Sequence, residues 1–304
     1  MTTPVLPETE FVAFDVTTPT RAALADALQA LITPITGATT TIAVGASLFD
    51  GRFDLERPSR LIRMPTFRND VLDLQWCHGD LLVQLGTEHR AAIEPFLASR
   101  PPHLTSRWRI TGNHRERNLF GFTEGAGNPD PNDDTLMNQH VWVQPGDDEP
   151  AWCIGGTYQV VRLIQLAMPT WDAEPVNVQE KVFGRTKNTD APLGQSTRDA
   201  DPDYRSDPSG TTIPLDAHIR RANPHTPESK NRRILRHSHT YRRSPDNVGQ
   251  VFVCFQRDLE RGFATIQRRL AGEALEKYLL PFGGGYYFVL PDPADLIASL
   301  RKHS

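Results

Sequence analysis

Few of the features that assign a chain quickly are present in this one. It has three cysteines in 304 residues, Cys77, Cys153 and Cys254, and no CxxC pair. That excludes a disulfide scaffold and a structural zinc site of the usual spacing, and leaves three thiols that pack as small hydrophobes. An excess of positive charge is also missing. Lys and Arg number 33 against 37 Asp and Glu, for a net charge of −4, so general binding to nucleic acid is not expected. No run approaches about 18 uninterrupted apolar residues, the length that a membrane-crossing helix needs. The opening stretch MTTPVLPETEF has neither a basic n-region, an apolar h-region nor twin arginines. As written the chain reads as cytoplasmic, or as periplasmic or secreted if it is a processed form. Low-complexity tracts and repeats at a solenoid period are absent as well.

With apolar residues at 38% and charged residues at 23%, the chain is able to bury a core. The 25 prolines and 21 glycines punctuate it into short elements. EFVAFDV at 10–16 reads as a strand, and Thr18-Pro19 as the N-cap and first position of a helix whose apolar face is Leu24, Leu28, Leu31 and Ile32. Strands follow at 40–49 and 80–86, a short helix at 88–97 and a strand at 106–111. The second half reads as a strand at 156–168, a helix at 171–184, strands within 234–243 and at 249–258, a helix with stripe Leu259, Phe263, Ile266 and Leu270, and a strand at 283–291. Each half is therefore β-α-β-β-α-β. The predicted fold is α+β, two ferredoxin-like modules with mostly antiparallel sheets, divided into residues 1–145 and 146–304. Between 185 and 231 runs a polar segment longer than ordinary connections, either functional or partly disordered.

Two regions carry candidate chemistry. NLFGFTEGAGNPD, at 118–130, flanks Glu124 with glycines that permit close backbone approach to a ligand. Glu124 is either a general acid/base beside a cavity or a solvated turn residue. The segment 214–243 holds His218, His225, His237 and His239 among seven arginines, including Arg236. Such a cluster suits anions, or else forms a solvated basic face. His237 and His239 would share one face of a strand, yet no HExxH or CxxC partner supports a zinc pair. A histidine that ligates haem iron, with arginines on the propionates, accounts for both features. Phe252, Phe255 and the strand 160–166 are candidates to line the pocket.

The blocks VGASLFDGRF (44–53), CHGDLLVQL (77–85), NLFGFTEGAGNPD, PAWCIGGTYQVVRLIQL (150–166), LDAHIRRANPHTPES (215–229) and GQVFVCFQRDLERGFATIQRRL (249–270) are collinear with a known pattern. The chain resembles the dye-decolorizing peroxidases, in their deferrochelatase-type branch. That resemblance implies two ferredoxin-like modules of the dimeric alpha-beta barrel type, with one haem b per chain in the C-terminal module. It implies that His218 is the iron ligand and that Arg236 and Glu124 are the catalytic pair on the opposite face. Gly125 and Ala126 would line that face beside Glu124, and Asn223, Pro224 and His225 would lie against the haem edge. The implied activity is reduction of hydrogen peroxide with one-electron oxidation of aromatic or dye donors. The alternatives are release of iron from haem, or a haem-free binding protein. Trp152, Tyr158, Trp171, Tyr241 and Tyr286 are candidate electron relays or plain packing. No nucleic acid or membrane partner is implied, and a homo-oligomer is. Two departures stand out. The motif carboxylate is Glu124 where the family has Asp, and His225 stands where the branch has Arg. The chain also lacks the branch's secretion signal and early strand.

Overall fold

A computed structural model describes residues 5–99 and 101–302, so that Met1–Pro4 of the opening stretch read above lie outside it. The strands are β1 (Glu8–Val16), β2 (Ala38–Gly45), β3 (Leu81–Thr87), β4 (Leu104–Asn113), β5 (Thr157–Leu166), β6 (Leu235–Arg236), β7 (His239–Ser244), β8 (Asn247–Gln256) and β9 (Leu279–Val289). Within the first half the order is β2-β3-β1-β4, and within the second it is β7-β8-β5-β9, every pairing being antiparallel. Both are the ferredoxin-like order. Ala43–Gly45 of β2 pair with Tyr287–Val289 of β9, and Asn113 of β4 pairs with Thr240 of β7. These two seams close the halves into one antiparallel barrel, and the short β6 adds to β8.

Alternation along the strands sorts the core into two layers. Phe11, Ala13, Leu82, Val161, Leu163, Val253, Phe255 and Tyr287 form one apolar cluster, and their neighbours Val12, Phe14, Val83, Val160 and Cys254 join another that packs against helices 21–31 and 293–302. The division predicted for the 249–258 strand holds: Cys254 and Phe252 face one layer, Val253 and Phe255 the other. All three cysteines are free and buried. Among the described residues no helix is long and apolar enough to cross a membrane.

Several local expectations need correction. The first helix is capped by Thr20, whose side chain accepts from Ala23 N, two residues after the predicted cap at Thr18; Pro19 therefore precedes the helix. The helix expected at 88–97 shrinks to a 3-10 turn at 90–92 and five α residues from Glu94, since Pro95 is tolerated only in a first turn. Pro175 likewise splits the 171–184 helix into Met168–Asp172 and Val176–Phe183. The strand read into 234–243 is broken at 237–238, giving β6 and β7.

His239 is a buried, uncompensated polar group in the barrel. It packs edge-on to Phe11 with ring centroids 5.3 Å apart, and neither ring nitrogen has a hydrogen-bond partner among the described residues. A Cβ on Gly112 would stand 2.6 Å from the His239 Cβ, so glycine is what admits the ring here. Burial first, then the neighbouring His114 and His237, depress the His239 pKa to about 3. The folded state resists protonation that the unfolded chain accepts below the ordinary value of 6.5. This group's contribution is thus fully present above pH 6.5 and is lost as pH falls toward 3. Replacing His239 with Leu should remove up to about 1.4 kcal/mol per pH unit from the slope of stability against pH in that window. Urea unfolding of both proteins across the window checks this, and an unchanged slope contradicts it.

Candidate functional site

Outside the barrel, beside β5 and β8, lies a cavity with about 1240 Å³ of atom-free space, its open mouth included. Its walls are apolar, with Phe183, Phe252, Phe263, Ile164, Ile266 and Leu275 among them. Set into those walls are His218, Glu124, Arg236, Gln250 and Glu273. A roomy apolar pocket with a few converging polar groups is the usual form of a cofactor or ligand site.

His218 opens the short helix His218–Ala222, in the long polar segment. Its Nδ1 lies 2.6 Å from Oε2 of Glu273, a carboxylate that is only 4% exposed. A carboxylate can only accept, so Nδ1 carries the proton and donates. That leaves Nε2 as the basic nitrogen, and it has no hydrogen-bond partner among the described residues. This is how a ligating histidine is usually held, with the second nitrogen fixed by an acceptor. Sequence reasoning could not find Glu273, which sits 55 residues away on the turn after helix Thr265–Leu270.

Another part of the lining is the glycine-rich loop. Gly125 and Gly127 take left-handed backbone angles, φ +77° and +81°, which a side chain would resist. Glu124 is fixed by its own N–H, which donates to Glu116 O at 2.9 Å, and by Gln250 Nε2, which donates to Oε1 at 3.0 Å. Oε2 remains open. Arg236 lies on β6, and Asn128 clasps it from the same loop. Asn128 Nδ2 donates to Arg236 O at 2.9 Å, while Arg236 N and Nε donate to Asn128 Oδ1. The Arg236 Nη2 also donates to Ala126 O. The cavity therefore holds a carboxylate and an always-charged guanidinium on one loop-and-strand unit.

Asp190 anchors that loop from the polar segment. It accepts from Thr123 N at 3.0 Å, from Thr123 Oγ1 at 2.6 Å and from Arg117 at 2.7 Å. Burial pushes its pKa up, but the Thr123 and Arg117 bonds outweigh it and hold the carboxyl below 3.8. The segment that the sequence left as functional or disordered supplies both this anchor and His218.

His218, Glu124, Gly125, Ala126 and Arg236 thus line one cavity, whereas Asn223, Pro224 and His225 are absent from its lining. His225 instead stands edge-on to Tyr204, 5.5 Å between centroids, near Asp201. Burial lowers its pKa despite Asp201. Phe252 lines the cavity and Phe255 does not; of the strand 160–166, Arg162 and Ile164 reach it. Trp152, Tyr158, Trp171, Tyr241 and Tyr286 all stand outside the lining. Among the described residues no group of three His, Cys, Asp or Glu is arranged to hold a metal ion by itself.

The donor set suits haem. One imidazole has its Nδ1 fixed by a carboxylate, the walls are aromatic and aliphatic, and Arg185 adds a guanidinium to the lining, with Nη1 donating to Asp190 O and Arg198 O. Ser238 Oγ, also in the lining, is buried without a hydrogen-bond partner among the described residues, as expected of a group that completes its bonding with a bound molecule.

Comparison with known proteins agrees. The family model described as Dyp-type peroxidase, C-terminal, matches residues 115–294, and its N-terminal counterpart matches residues 1–94. A deferrochelatase of Escherichia coli (strain K12) is 46% identical over 279 residues, covering 84% of this chain, and one of Shigella flexneri is equally similar. The chain spans 66% of the length of these curated relatives, just under two thirds. Among solved structures, a DyP-type peroxidase from Cellulomonas bogoriensis has TM-score 0.87 and 28% identity, covering 98% of this chain and 95% of its own. Ferric DtpA from Streptomyces lividans has TM-score 0.83 and 28% identity, covering 95% and 90%.

Replacing Asp190 with Ala removes the acceptor of Thr123 N and Oγ1 and the carboxylate partner of Arg117, which keeps its bonds to Gly121 O and Lys187 O. It should cost about 1 to 3 kcal/mol in denaturant unfolding, as stranding buried donors does. A loss under about 0.5 kcal/mol, the range of an ordinary surface change, contradicts the anchoring role.

Proposed function

The chain belongs to the Dyp-type peroxidase family, and on that premise we propose that it binds haem in this cavity and reduces hydrogen peroxide at the expense of one-electron donors. The observation that carries the reading is the buried Glu273 carboxylate bound to Nδ1 of His218, which turns the basic Nε2 into an available ligand. Haem, when bound, supplies an iron that exchanges electrons with peroxide and with the donors.

The remaining work falls to side chains. His218 holds the iron, and Glu273 raises the basicity of the imidazole and fixes its orientation. Across the cavity, Glu124 accepts a proton from one peroxide oxygen and returns it to the departing one. With Oε1 occupied by Gln250, Oε2 is the oxygen that handles that proton, directly or through one water. Glu124 stands where the family has Asp, and its extra methylene is taken up by the bond to Gln250. Arg236, tied at Nε and Nη2, retains Nη1 to orient peroxide and to stabilise negative charge as the O–O bond breaks. The apolar wall keeps bulk water away and strengthens both interactions. Donors are aromatic or dye molecules, and large ones are oxidised at the surface.

The reading carries with it two modules, residues 1–145 and 146–304, one haem b per chain and association of copies. The name of the 46% identical relatives favours a second reading, in which the same residues hold haem while its iron is released. Free protoporphyrin fluorescence after incubation with haem distinguishes the two.

His218→Ala should lose the wild-type Soret spectrum and weaken haem retention on desalting; an identical spectrum would rule out His218 as the ligand. Glu124→Gln should keep haem but slow the reaction with peroxide by about 10²-fold or more, the range of a lost acid–base group. An unchanged rate would remove Glu124 from the mechanism.

A further inference from the structure

A second pocket, bordered by Arg232 and Arg233 just before β6, has about 960 Å³ of atom-free space. Five arginines line it, Arg60, Arg232, Arg233, Arg257 and Arg261, against two carboxylates, Asp147 and Asp258. Pairing does not exhaust the guanidinium groups. Arg257 is taken by Asp147 at 2.6 Å, Arg60 by Asp258 at 2.9 Å and by Glu149, and Arg232 by the exposed Glu228 at 2.7 Å. Arg233 and Arg261 have no carboxylate partner among the described residues. Arg233 is half-buried even so, with its Nη2 donating to Gly127 O at 3.1 Å and Asn128 O at 2.7 Å. Burial and then the nearby Arg236 charge depress its pKa, a situation that an anion would relieve.

Two further observations point to a ligand here. His140 lines the pocket at 5% exposure, and its ring nitrogens have no hydrogen-bond partner among the described residues. The wall beside it is a π-turn, Glu260–Ala264, in which Gly262 leaves helical geometry at φ −87° and ψ −106°. A Cβ on Gly262 would meet Gln256 Cγ at 3.0 Å and Ile234 Cγ2 at 3.1 Å, so the turn is packed as closely as glycine allows. Such turns recur at functional sites. The one at Glu260–Ala264 carries Arg261, which its own Asp258 caps only through the backbone N–H.

We propose that this pocket is a binding site for a small multivalent oxyanion, a polyphosphate or a polycarboxylate, held by Arg261, Arg233 and Arg232 with His140 in its lining. Planar guanidinium groups bind phosphate and carboxylate alike through paired N–H donors, and several of them lining one pocket favour a multivalent anion over a monovalent one. The site is distinct from the haem cavity but linked to it, since Arg233 holds the loop whose Asn128 clasps Arg236. Arg261 touches none of that machinery and is the clean probe.

The test is isothermal titration of pyrophosphate, and separately of citrate, into the purified full chain. Sodium chloride at matched ionic strength is the control. One or both anions should bind with a dissociation constant below about 1 mM, equivalent to about 4 kcal/mol, and the arm that binds tells phosphate from carboxylate. Arg261→Ala should weaken binding about tenfold, as loss of one charge-assisted contact does, with the circular dichroism spectrum unchanged. Arg232→Ala gives a second variant should Arg261→Ala fold poorly. No binding of either anion, heats matched by sodium chloride, or equal affinity in wild type and variant would each overturn the proposal.

Discussion

The 2.6 Å hydrogen bond between His218 and Glu273 decides how the cavity is used. An imidazole has one donor and one acceptor nitrogen, and an unrestrained one exposes either. Burying a carboxylate against Nδ1 removes the choice. The carboxylate in turn needs that donor, since a buried anion without a partner is costly. The two halves of the pair come together where helix His218–Ala222 and the turn at Glu273 border the same cavity. Barrel closure through the β2–β9 and β4–β7 seams gives both a rigid backing.

The glycine-rich loop follows the same logic with different parts. Glu124 and Arg236 belong to different elements, but Asn128 joins loop to strand, and Asp190 pins the loop from beneath. Each functional group is therefore held by a neighbour that does no chemistry. Positions fixed this way carry little reorganisation cost during a reaction. The Gln250 amide on Glu124 belongs to this set, and it selects which carboxylate oxygen stays open to the cavity.

Much of the barrel was legible because strands declare themselves by alternation. Val253 and Phe255 against Phe252 and Cys254 could be sorted by reading every second residue. Helix ends were harder. Thr18-Pro19 has the N-cap and first-turn pattern, yet the helix starts two residues later, with Thr20 as its cap. His218, Glu124 and Arg236 were visible through local motif and resemblance. Glu273, Asp190 and Gln250 were not, since each acts on a residue 55, 67 or 126 positions away, across folds of chain that no local pattern encodes. His225 illustrates the converse: it sits in a matching motif, yet its ring packs on Tyr204 outside the cavity lining.

The central claim is that a carboxylate-anchored imidazole at position 218 grips the iron. Resonance Raman spectroscopy of the ferrous, haem-loaded protein measures that bond through its iron–imidazole stretch. The account predicts such a band in the wild type, with a shift to lower frequency in Glu273→Gln, where a neutral amide replaces the anionic acceptor. No iron–imidazole band, or a band that Glu273→Gln leaves in place, would contradict it.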